Sequence, residues 1–193
     1  MPTPEPVHEI QAGPVRVAVL AHARGRPAEP SARAWIEPRL ALPAGALPRD
    51  ARGRPGTGSD EADVNWSHSG DWLAVALGRD VRVGVDIEVL RARRDPLALA
   101  GRYFHPAEAA ALAALSPAQR APAFLRLWCA KEAVLKAHGH GLAFGLDRLR
   151  FDGIGGELQL VAVDQALGAR NAWSVQSFDW SAGVGAVAWC AGS

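Results

Sequence analysis

VRVGVDIEV, residues 81–89, alternates aliphatic residues with other types and predicts a β-strand. Because side chains along a strand alternate between its faces, Asp86 and Glu88 leave one face while Val85 and Ile87 point into the core. Two carboxylates on one face of a strand that otherwise favours burial indicate a site for a hard cation. The alternative is an exposed edge strand whose two acids are solvated.

A second group of polar residues lies in WCAKEAVLK, residues 128–136, within a helix predicted over 117–138. Trp128, Glu132 and Lys136 recur at helical spacing, so one stripe carries an indole, a carboxylate and an ammonium group. Beside the acidic strand, Glu132 becomes a third candidate metal ligand and Lys136 a candidate phosphate contact. A solvated Glu–Lys pair is the alternative. Lys131 lies on the apolar side of the same helix.

The segment VNWSHSGDW, residues 64–72, is predicted as a turn rich in hydrogen-bond donors between two apolar strands. Ser67 and His68 could bind an anionic oxygen, and Asn65 could hold the turn through its backbone. An ordinary polar β-turn is the alternative. A Ser/His hydrolase is disfavoured, because the sequence has no GxSxG nucleophile turn.

The remaining periodicity predicts an α+β fold with mainly antiparallel sheets, because strands, then helices, then strands follow one another. Strands are predicted at 15–20, 72–77, 81–88, 149–151, 157–163, 172–178 and 184–190, with a hairpin turn at 78–80. Helices are predicted at 32–40, 96–104, 106–115 and 117–138.

Composition limits the classes of function. The 193 residues include 21 basic and 20 acidic side chains, a net charge of +1, which argues against a broad nucleic-acid interface. No apolar run approaches the length of about 18 residues needed to span a membrane, and the first ten residues do not resemble an export signal. Two isolated cysteines, Cys129 and Cys190, fit a reducing compartment, so we expect a cytoplasmic protein.

NWSHSG, GVDIE, RYFHPAE and WCAKEAVLK followed by GHGL occur in this order and resemble the 4'-phosphopantetheinyl transferase superfamily, in particular its surfactin-synthetase-activating type. The resemblance covers about residues 52–149. It implies an enzyme that transfers the 4'-phosphopantetheine group of coenzyme A to a serine of an apo acyl or peptidyl carrier protein and releases 3',5'-ADP.

The resemblance also implies roles for single residues. Asp86, Glu88 and Glu132 match the ligands of Mg²⁺, with Mn²⁺ as a substitute, and the catalytic set is Asp86, Glu132 and Lys136. Glu132 is also the candidate base, acting directly or through a water on the metal. Lys136 and Lys131 match contacts to the coenzyme A pyrophosphate.

Further contacts to coenzyme A phosphates are implied for Ser67, His68 and Arg54. Glu108 matches an acidic position near the active site, with a secondary role.

The resemblance predicts a pseudo-dimer of two α/β halves, each a small, mainly antiparallel sheet packed with helices, with coenzyme A between them. Residues 1–80 would form an abbreviated N-terminal half, and residues 81–193 a C-terminal half that carries the metal site. A chain with both halves is expected to be a monomer. The stretch before Arg54 is shorter than is usual in the family and rich in Pro, Gly and Ala. Its basic residues are Arg24, Arg26, Arg33, Arg39 and Arg49.

Two other functions stay open at this point. A catalytically weak homologue that binds coenzyme A or a nucleotide would keep the metal site but lose part of the substrate contacts. A metal-dependent nuclease is disfavoured, because Val89 and Leu90 follow Glu88 where a lysine two residues on would be expected.

Overall fold

The sheets of this protein are antiparallel, as its sequence predicts. A computed structural model describes residues 4–49, 54–55, 57, 61–90, 95–139 and 142–192. Within these residues the chain forms three antiparallel sheets and four α-helices. The predicted α+β class is confirmed. None of the described helices is both long enough and apolar enough to cross a membrane.

The elements follow one another in this order: β1 Pro6–Ala12, β2 Val15–Ala21, α1 Glu29–Ile36, β3 Ala62–Ser69, β4 Trp72–Arg79, β5 Val81–Val89, α2 Pro96–Tyr103, α3 Pro106–Ala114, α4 Pro117–His138, β6 Leu149–Asp152, β7 Gln159–Val163, β8 Trp173–Trp180 and β9 Gly183–Ala191. A short 3₁₀ turn, Glu37–Leu40, extends α1. The first sheet has the strand order β1-β2-β4-β3, the second β5-β9-β8, and the third pairs β6 with β7.

Two of the predictions for the first half of the chain are wrong. The segment 64–72 is mostly strand β3 and not a turn; only its end, at Gly70 and Asp71, turns into β4. The turn at 78–80 does not close a hairpin, because β4 pairs with β2 and β3 whereas β5 pairs with β9. Strand β1 has no counterpart in the prediction. The helices and strands after residue 95 agree with the prediction within two residues at each end.

The first two sheets repeat one topology. In each, a strand leads into a helical segment, and a hairpin then returns so that its second strand lies beside the first strand of the unit. The order β2-β4-β3 around α1 therefore corresponds to β5-β9-β8 around α2 to α4.

The edge strands β3 and β5 of the two sheets are joined by polar side chains in place of a backbone ladder. The backbone N–H of Val83 donates to Asp63 Oδ2 at 2.8 Å, and that of Val85 donates to Asn65 Oδ1 at 3.0 Å. Further along, the N–H of Val89 donates to the Ser69 hydroxyl at 3.2 Å. Alternate residues of β3 thus satisfy the open edge of β5, which aligns the two strands.

Helix α4 lies unusually close to β5 at Gly84. A Cβ atom added to Gly84 would stand 2.1 Å from Ala133 O and 2.4 Å from Ala137 N, both in the α4 backbone. The small, fully buried side chains of Ala133 and Ala137 allow this approach. Gly139, with φ of 87°, ends the helix just beyond the contact. This packing places the last two turns of α4 against the acidic end of β5.

Replacement of Gly84 by alanine should test this packing. Gly84→Ala is expected to lower the free energy of unfolding by about 1–3 kcal/mol or more, because the new methyl group must displace helix backbone. Gly101→Ala is the matched control, since a Cβ there meets no atom within 4 Å. That change inside α2 should stabilise the protein by about 0.5–1 kcal/mol. Urea denaturation measures both, and a Gly84→Ala protein as stable as wild type would contradict the close approach.

Candidate active site

The side chain of Asp86 is the centre of a polar cluster between β3, β5 and α4. It is 4 % exposed. Its Oδ1 accepts hydrogen bonds from the Ser67 hydroxyl and from Lys136 Nζ, both at 2.6 Å. Its Oδ2 is buried and has no hydrogen-bond partner in the described part of the chain. A buried carboxylate oxygen without a partner is costly, and it is an atom that a cation could satisfy.

Lys136 connects this cluster to helix α4. Its ammonium group also lies 2.9 Å from Ser67 Oγ, 3.3 Å from the Val85 carbonyl and 3.8 Å from Glu132 Oε2. The side chain remains 26 % exposed. It can therefore reach both the buried Asp86 and a ligand in solvent.

Glu132 lies one helical turn before Lys136 and is 12 % exposed at its side chain. Burial, together with the negative charges of Asp86 and Glu88, raises its pKa to about 7. Lys136 and a hydrogen bond from Trp128 act in the opposite direction. The ion pair at 3.8 Å is thus too weak to offset burial and repulsion, and the carboxyl is easily protonated at neutral pH.

Glu88 is half-buried two residues after Asp86, and its Oε2 accepts a hydrogen bond from the Ser69 hydroxyl at 2.7 Å. Both Asp86 and Glu88 raise the pKa of Glu132, so the three carboxylates belong to one electrostatic cluster. Among the described residues, however, no three His, Cys, Asp or Glu side chains converge closely enough to form a complete protein metal site.

The residues of β3 divide between the two faces of the strand. Asn65 and Ser67 face β5, where Asn65 holds Val85 rather than a turn of its own. His68 is exposed, and its ring meets the edge of the His22 ring with 5.7 Å between centroids. Ser67 thus lies with the carboxylates, whereas His68 lies on the other face of the strand against His22, a second histidine that the sequence analysis does not single out.

Lys131 lies on the buried, apolar side of α4, as its sequence position indicates. It is fully buried, and its ammonium group donates to the Leu146 carbonyl at 2.8 Å and to the Leu149 carbonyl, and pairs with Glu108 Oε2 at 2.7 Å. Its three protons are therefore used inside the protein. The position of Lys131 among the apolar residues of α4 is the sequence signal for this burial, and its contact with a pyrophosphate stays a prediction.

Glu108 also has a structural role, and its predicted secondary role near the active site stays a prediction. It is 1 % exposed and caps the start of α3 by accepting from the backbone of His105 at 3.0 Å. Its other oxygen accepts from the N–H of Phe151 at 2.8 Å. With Lys131, it ties α3 and α4 to β6.

Arg54 is likewise occupied by protein groups. Its guanidinium makes a bidentate pair with Asp63, at 2.6 and 2.7 Å, and donates to the Val83 carbonyl at 2.7 Å. Arg54 thus braces the junction of β3 and β5. Its predicted contact with a phosphate stays a prediction.

An apolar cleft of about 540 Å³ opens beside Glu88, between α2, α4 and the segment before β6. The sequence analysis does not predict it, although aromatic residues recur on both helices. The residues that line it are Glu88, Val89, Pro96, Leu99, Arg102, Tyr103, Ala121, Phe124, Leu125, Trp128, Gly145, Leu146 and Asp147.

Comparison with known proteins gives consistent matches. The sequence profile of the 4'-phosphopantetheinyl transferase superfamily matches residues 82–190. The 4'-phosphopantetheinyl transferase AcpT of Salmonella typhimurium is 32% identical over 167 residues, which are 83% of this chain and 78% of that protein. A putative 4'-phosphopantetheinyl transferase of Synechocystis is 33% identical over 133 residues, 65% of this chain and 53% of the relative. A 4'-phosphopantetheinyl transferase of Bacillus subtilis is 38% identical over 93 residues, 46% of this chain and 40% of the relative.

Two cationic side chains of α4 should respond differently to substitution. Lys131→Met is expected to destabilise the protein by about 3–5 kcal/mol, because it leaves the Glu108 carboxylate buried without its cation. Adding Glu108→Gln should recover part of that loss. Arg126→Met is the matched control and should cost clearly less, because the carboxylate of its partner Asp179 is exposed to water. Denaturant unfolding measures both free energies, and equal effects of the two methionine substitutions would contradict the assigned environments.

The raised pKa of Glu132 predicts that the free energy of unfolding depends on pH. Since the pKa rises from 4.5 to about 7 on folding, the folded state binds more protons between these values, and stability falls as pH rises through them. With a chelator present to remove metal ions, Glu132→Gln should abolish this loss of stability, which is at most about 3 kcal/mol. Unfolding free energies at about pH 5 and about pH 8 test it, with the exposed Glu157→Gln as control. A Glu132→Gln effect that is the same at both pH values would exclude the raised pKa.

Proposed function

This chain belongs to the 4'-phosphopantetheinyl transferase superfamily, and we propose that it transfers the 4'-phosphopantetheine group of coenzyme A to a serine of an apo acyl or peptidyl carrier protein, releasing 3',5'-ADP. The observation that carries the proposal is the cluster in which Ser67 and Lys136 donate to Asp86 Oδ1 while Asp86 Oδ2 has no hydrogen-bond partner among the described residues. It joins a phosphate-binding cation to acids that suit a divalent metal ion.

The acidic residues fit Mg²⁺, with Mn²⁺ as a substitute. Asp86 Oδ2, Glu88 and Glu132 would hold the ion, since all are hard oxygen donors. Burial and the charges of Asp86 and Glu88 raise the pKa of Glu132, and a cation at this place would offset both effects. Protein sites for Mg²⁺ commonly supply only one or two carboxylates and leave the rest to water and substrate phosphates. An incomplete protein cage is therefore compatible with this metal. When bound, Mg²⁺ would neutralise the two phosphates of the coenzyme A pyrophosphate.

Lys136 and Ser67 would bind the pyrophosphate next to the acids. The serine oxygen of the carrier attacks the phosphorus attached to pantetheine, and the bond from that phosphorus to the bridging oxygen of the pyrophosphate breaks. The 5'-phosphate of 3',5'-ADP leaves with the electron pair. Lys136, which is 26 % exposed, can turn a proton toward the developing charge on the leaving oxygen.

Glu132 is the proposed base for the incoming serine. It lies on the last turns of α4, beside Asp86 and one turn from Lys136, so its carboxylate borders the same space as the phosphate contacts. The serine proton passes to this carboxylate, directly or through one water, as the new P–O bond forms.

The carrier protein is proposed to cover the apolar cleft beside Glu88. Tyr103, Phe124 and Trp128 are among its walls, and Glu88 links it to the acidic cluster. A carrier whose serine reaches Glu132 must approach from a solvent-open side, and the cleft offers an apolar surface there.

The repeated topology of the two main sheets supports the predicted pseudo-dimer, with 1–80 and 81–193 as its halves. Since Ser67 comes from the first half and Asp86 from the second, one chain supplies both sides of the cluster, and we propose that it acts as a monomer. The thiols of Cys129 and Cys190 are both free, which fits the proposed cytoplasmic location.

A transfer assay tests the function. The protein is incubated with Mg²⁺, coenzyme A and a panel of apo carrier proteins, and the mass of each carrier is measured. A gain of phosphopantetheine that disappears in chelator is expected. Glu132→Gln and Asp86→Asn should slow the transfer by about 100-fold or more, whereas the exposed Asp152→Asn should not change it. Tight binding of coenzyme A without transfer to any carrier would favour a non-catalytic binding protein instead.

A further inference from the structure

A small cavity with three arginines in its wall lies on the first sheet, away from the proposed active site. Its volume is about 230 Å³, and its lining residues are Gln11, Pro14, Arg16, Arg39, Leu77 and Arg79. None of these described lining residues is acidic, so the cavity gathers three positive charges in a chain whose net charge is only +1. A concave surface with charges of one sign concentrates ions of the opposite sign.

The strand register brings the arginines of the sheet together. Arg16 of β2 lies between Gln11 of β1 and Leu77 of β4, because it pairs with both. Arg79 comes two residues after Leu77 and therefore projects from the same face of β4. This face packs against α1, since Leu77 and Trp35 belong to one apolar cluster. Three neighbouring strands thus direct polar or basic side chains to the α1 side of the sheet.

Arg39 lines the cavity from the 3₁₀ turn that extends α1. The carbon of its guanidinium lies 4.0 Å from the centroid of the Trp35 ring, and its Nη1 donates to the Trp35 carbonyl at 2.9 Å. These two contacts hold the side chain in place. Its Nε is buried and has no hydrogen-bond partner among the described residues. An unsatisfied buried donor is costly, so its retention calls for a ligand.

Neighbouring acids compensate the cluster only in part. Glu9 Oε1 lies 3.7 Å from Arg39 Nη2, too far for a hydrogen bond, and the Glu9 side chain is 38 % exposed. Burial lowers the pKa of Arg39, and the charge of Arg16 adds to this effect whereas Glu9 opposes it. Arg16 and Arg79 are exposed, and neither side chain forms a hydrogen bond or ion pair within the described part of the chain. All three guanidinium groups therefore keep donors for an anion.

The cavity is separate from the cluster around Asp86. Ser67 of that cluster pairs with Ala74, and Arg79 lies five residues further along β4, which is about 16 Å of extended strand. Ser67 also faces β5, where it donates to Asp86, whereas the cavity is on the α1 side of the sheet. A ligand in the cavity therefore does not occupy the space proposed for the pyrophosphate of coenzyme A.

Size and chemistry together select a small dianion. Guanidinium groups form paired hydrogen bonds with phosphate oxygens, and a tetrahedral phosphate can accept from several of them at once. A volume of about 230 Å³ lies below the range of about 300–1,000 Å³ that is usual for drug-sized ligands. The cavity thus suits a phosphate group and not a whole coenzyme.

We propose that Arg16, Arg39 and Arg79 form a further anion site that binds a phosphate dianion, either as the free ion or as the terminal monoester of a larger molecule. The bound dianion joins β2, β4 and the turn after α1, and it stabilises the fold because it binds the folded state alone. The site does not depend on the proposed transfer activity.

NMR spectra that resolve the arginine Nε–H groups test the site directly. The protein is titrated with sodium phosphate at constant ionic strength, balanced with sodium chloride, because anion contacts weaken with salt. The Nε–H signal of Arg39 should shift and reach saturation. Arg16→Gln and Arg79→Gln should each raise the phosphate dissociation constant, measured at Arg39, by about tenfold or more. Arg170→Gln, at an exposed position before β8, is the matched control and should leave it unchanged.

Glycerol 3-phosphate in place of inorganic phosphate separates the two sources of the ligand. Saturation by both compounds shows that the site accepts a terminal monoester, and saturation by phosphate alone assigns it to the free ion. An Arg39 signal that saturates with neither compound would overturn the proposal, and so would a dissociation constant that Arg16→Gln and Arg79→Gln leave unchanged. If these variants do not fold, the wild-type titration decides through the Arg39 signal. Transfer of phosphopantetheine does not enter this measurement, so the proposed function is tested separately.

Discussion

The close approach of α4 to β5 at Gly84 is the constraint on which the active-site cluster depends. A Cβ there would overlap the helix backbone, so the distance between helix and strand is set by the absence of one side chain. At this distance the Lys136 ammonium reaches both the Val85 carbonyl and Asp86 Oδ1. A helix held a few tenths of an ångström further away would lengthen every one of these contacts. The geometry of the acids is thus a consequence of backbone packing rather than of the polar residues alone.

The cluster is held together at a cost in stability. Lys136 compensates one oxygen of Asp86, but within the described residues Oδ2 has no partner, and the raised pKa of Glu132 favours its protonated form. Lys131, five residues earlier on the same helix, is by contrast fully buried and fully paired inside the protein. The two lysines are about 140° apart around the helix axis. The Lys131 ammonium group donates all its hydrogen bonds to Glu108 and two backbone carbonyls. Lys131 is part of the core, whereas the charge of the partly exposed Lys136 is available to a ligand.

Local periodicity predicts the parts of the site that lie within one element. Spacings of two in β5 and four in α4 place Asp86 with Glu88 and Glu132 with Lys136, because strand and helix geometry follow from sequence alone. The sequence does not predict the edge strand β3, because its residues that face β5 are polar and resemble those of a turn. They are Asp63, Asn65, Ser67 and Ser69. Asp63, Asn65 and Ser69 accept from backbone amides of a strand about 20 residues later, and Ser67 donates to the Asp86 side chain of that strand; no local pattern encodes these partners.

Similar reasoning applies to Arg54 and explains the error at residues 78–80. Motif position suggests what Arg54 could bind but does not reveal its ion pair with Asp63. The turn after β4 looks like a hairpin because local signals do not reveal which strand is the partner, and β9 lies about 100 residues further on.

The side-chain bridge between β3 and β5 also resolves a physical problem of the two-sheet design. Each sheet ends in an edge strand at this junction, and an open edge exposes amides that can pair with other chains. A continuous backbone ladder would close both edges but would leave no side chains between the strands. Bridging with Asn65 and Ser69 satisfies the amides of Val85 and Val89 and still keeps a polar layer between the sheets. Ser67 belongs to that layer, so the interaction that seals the junction also supplies a ligand-binding hydroxyl beside Asp86.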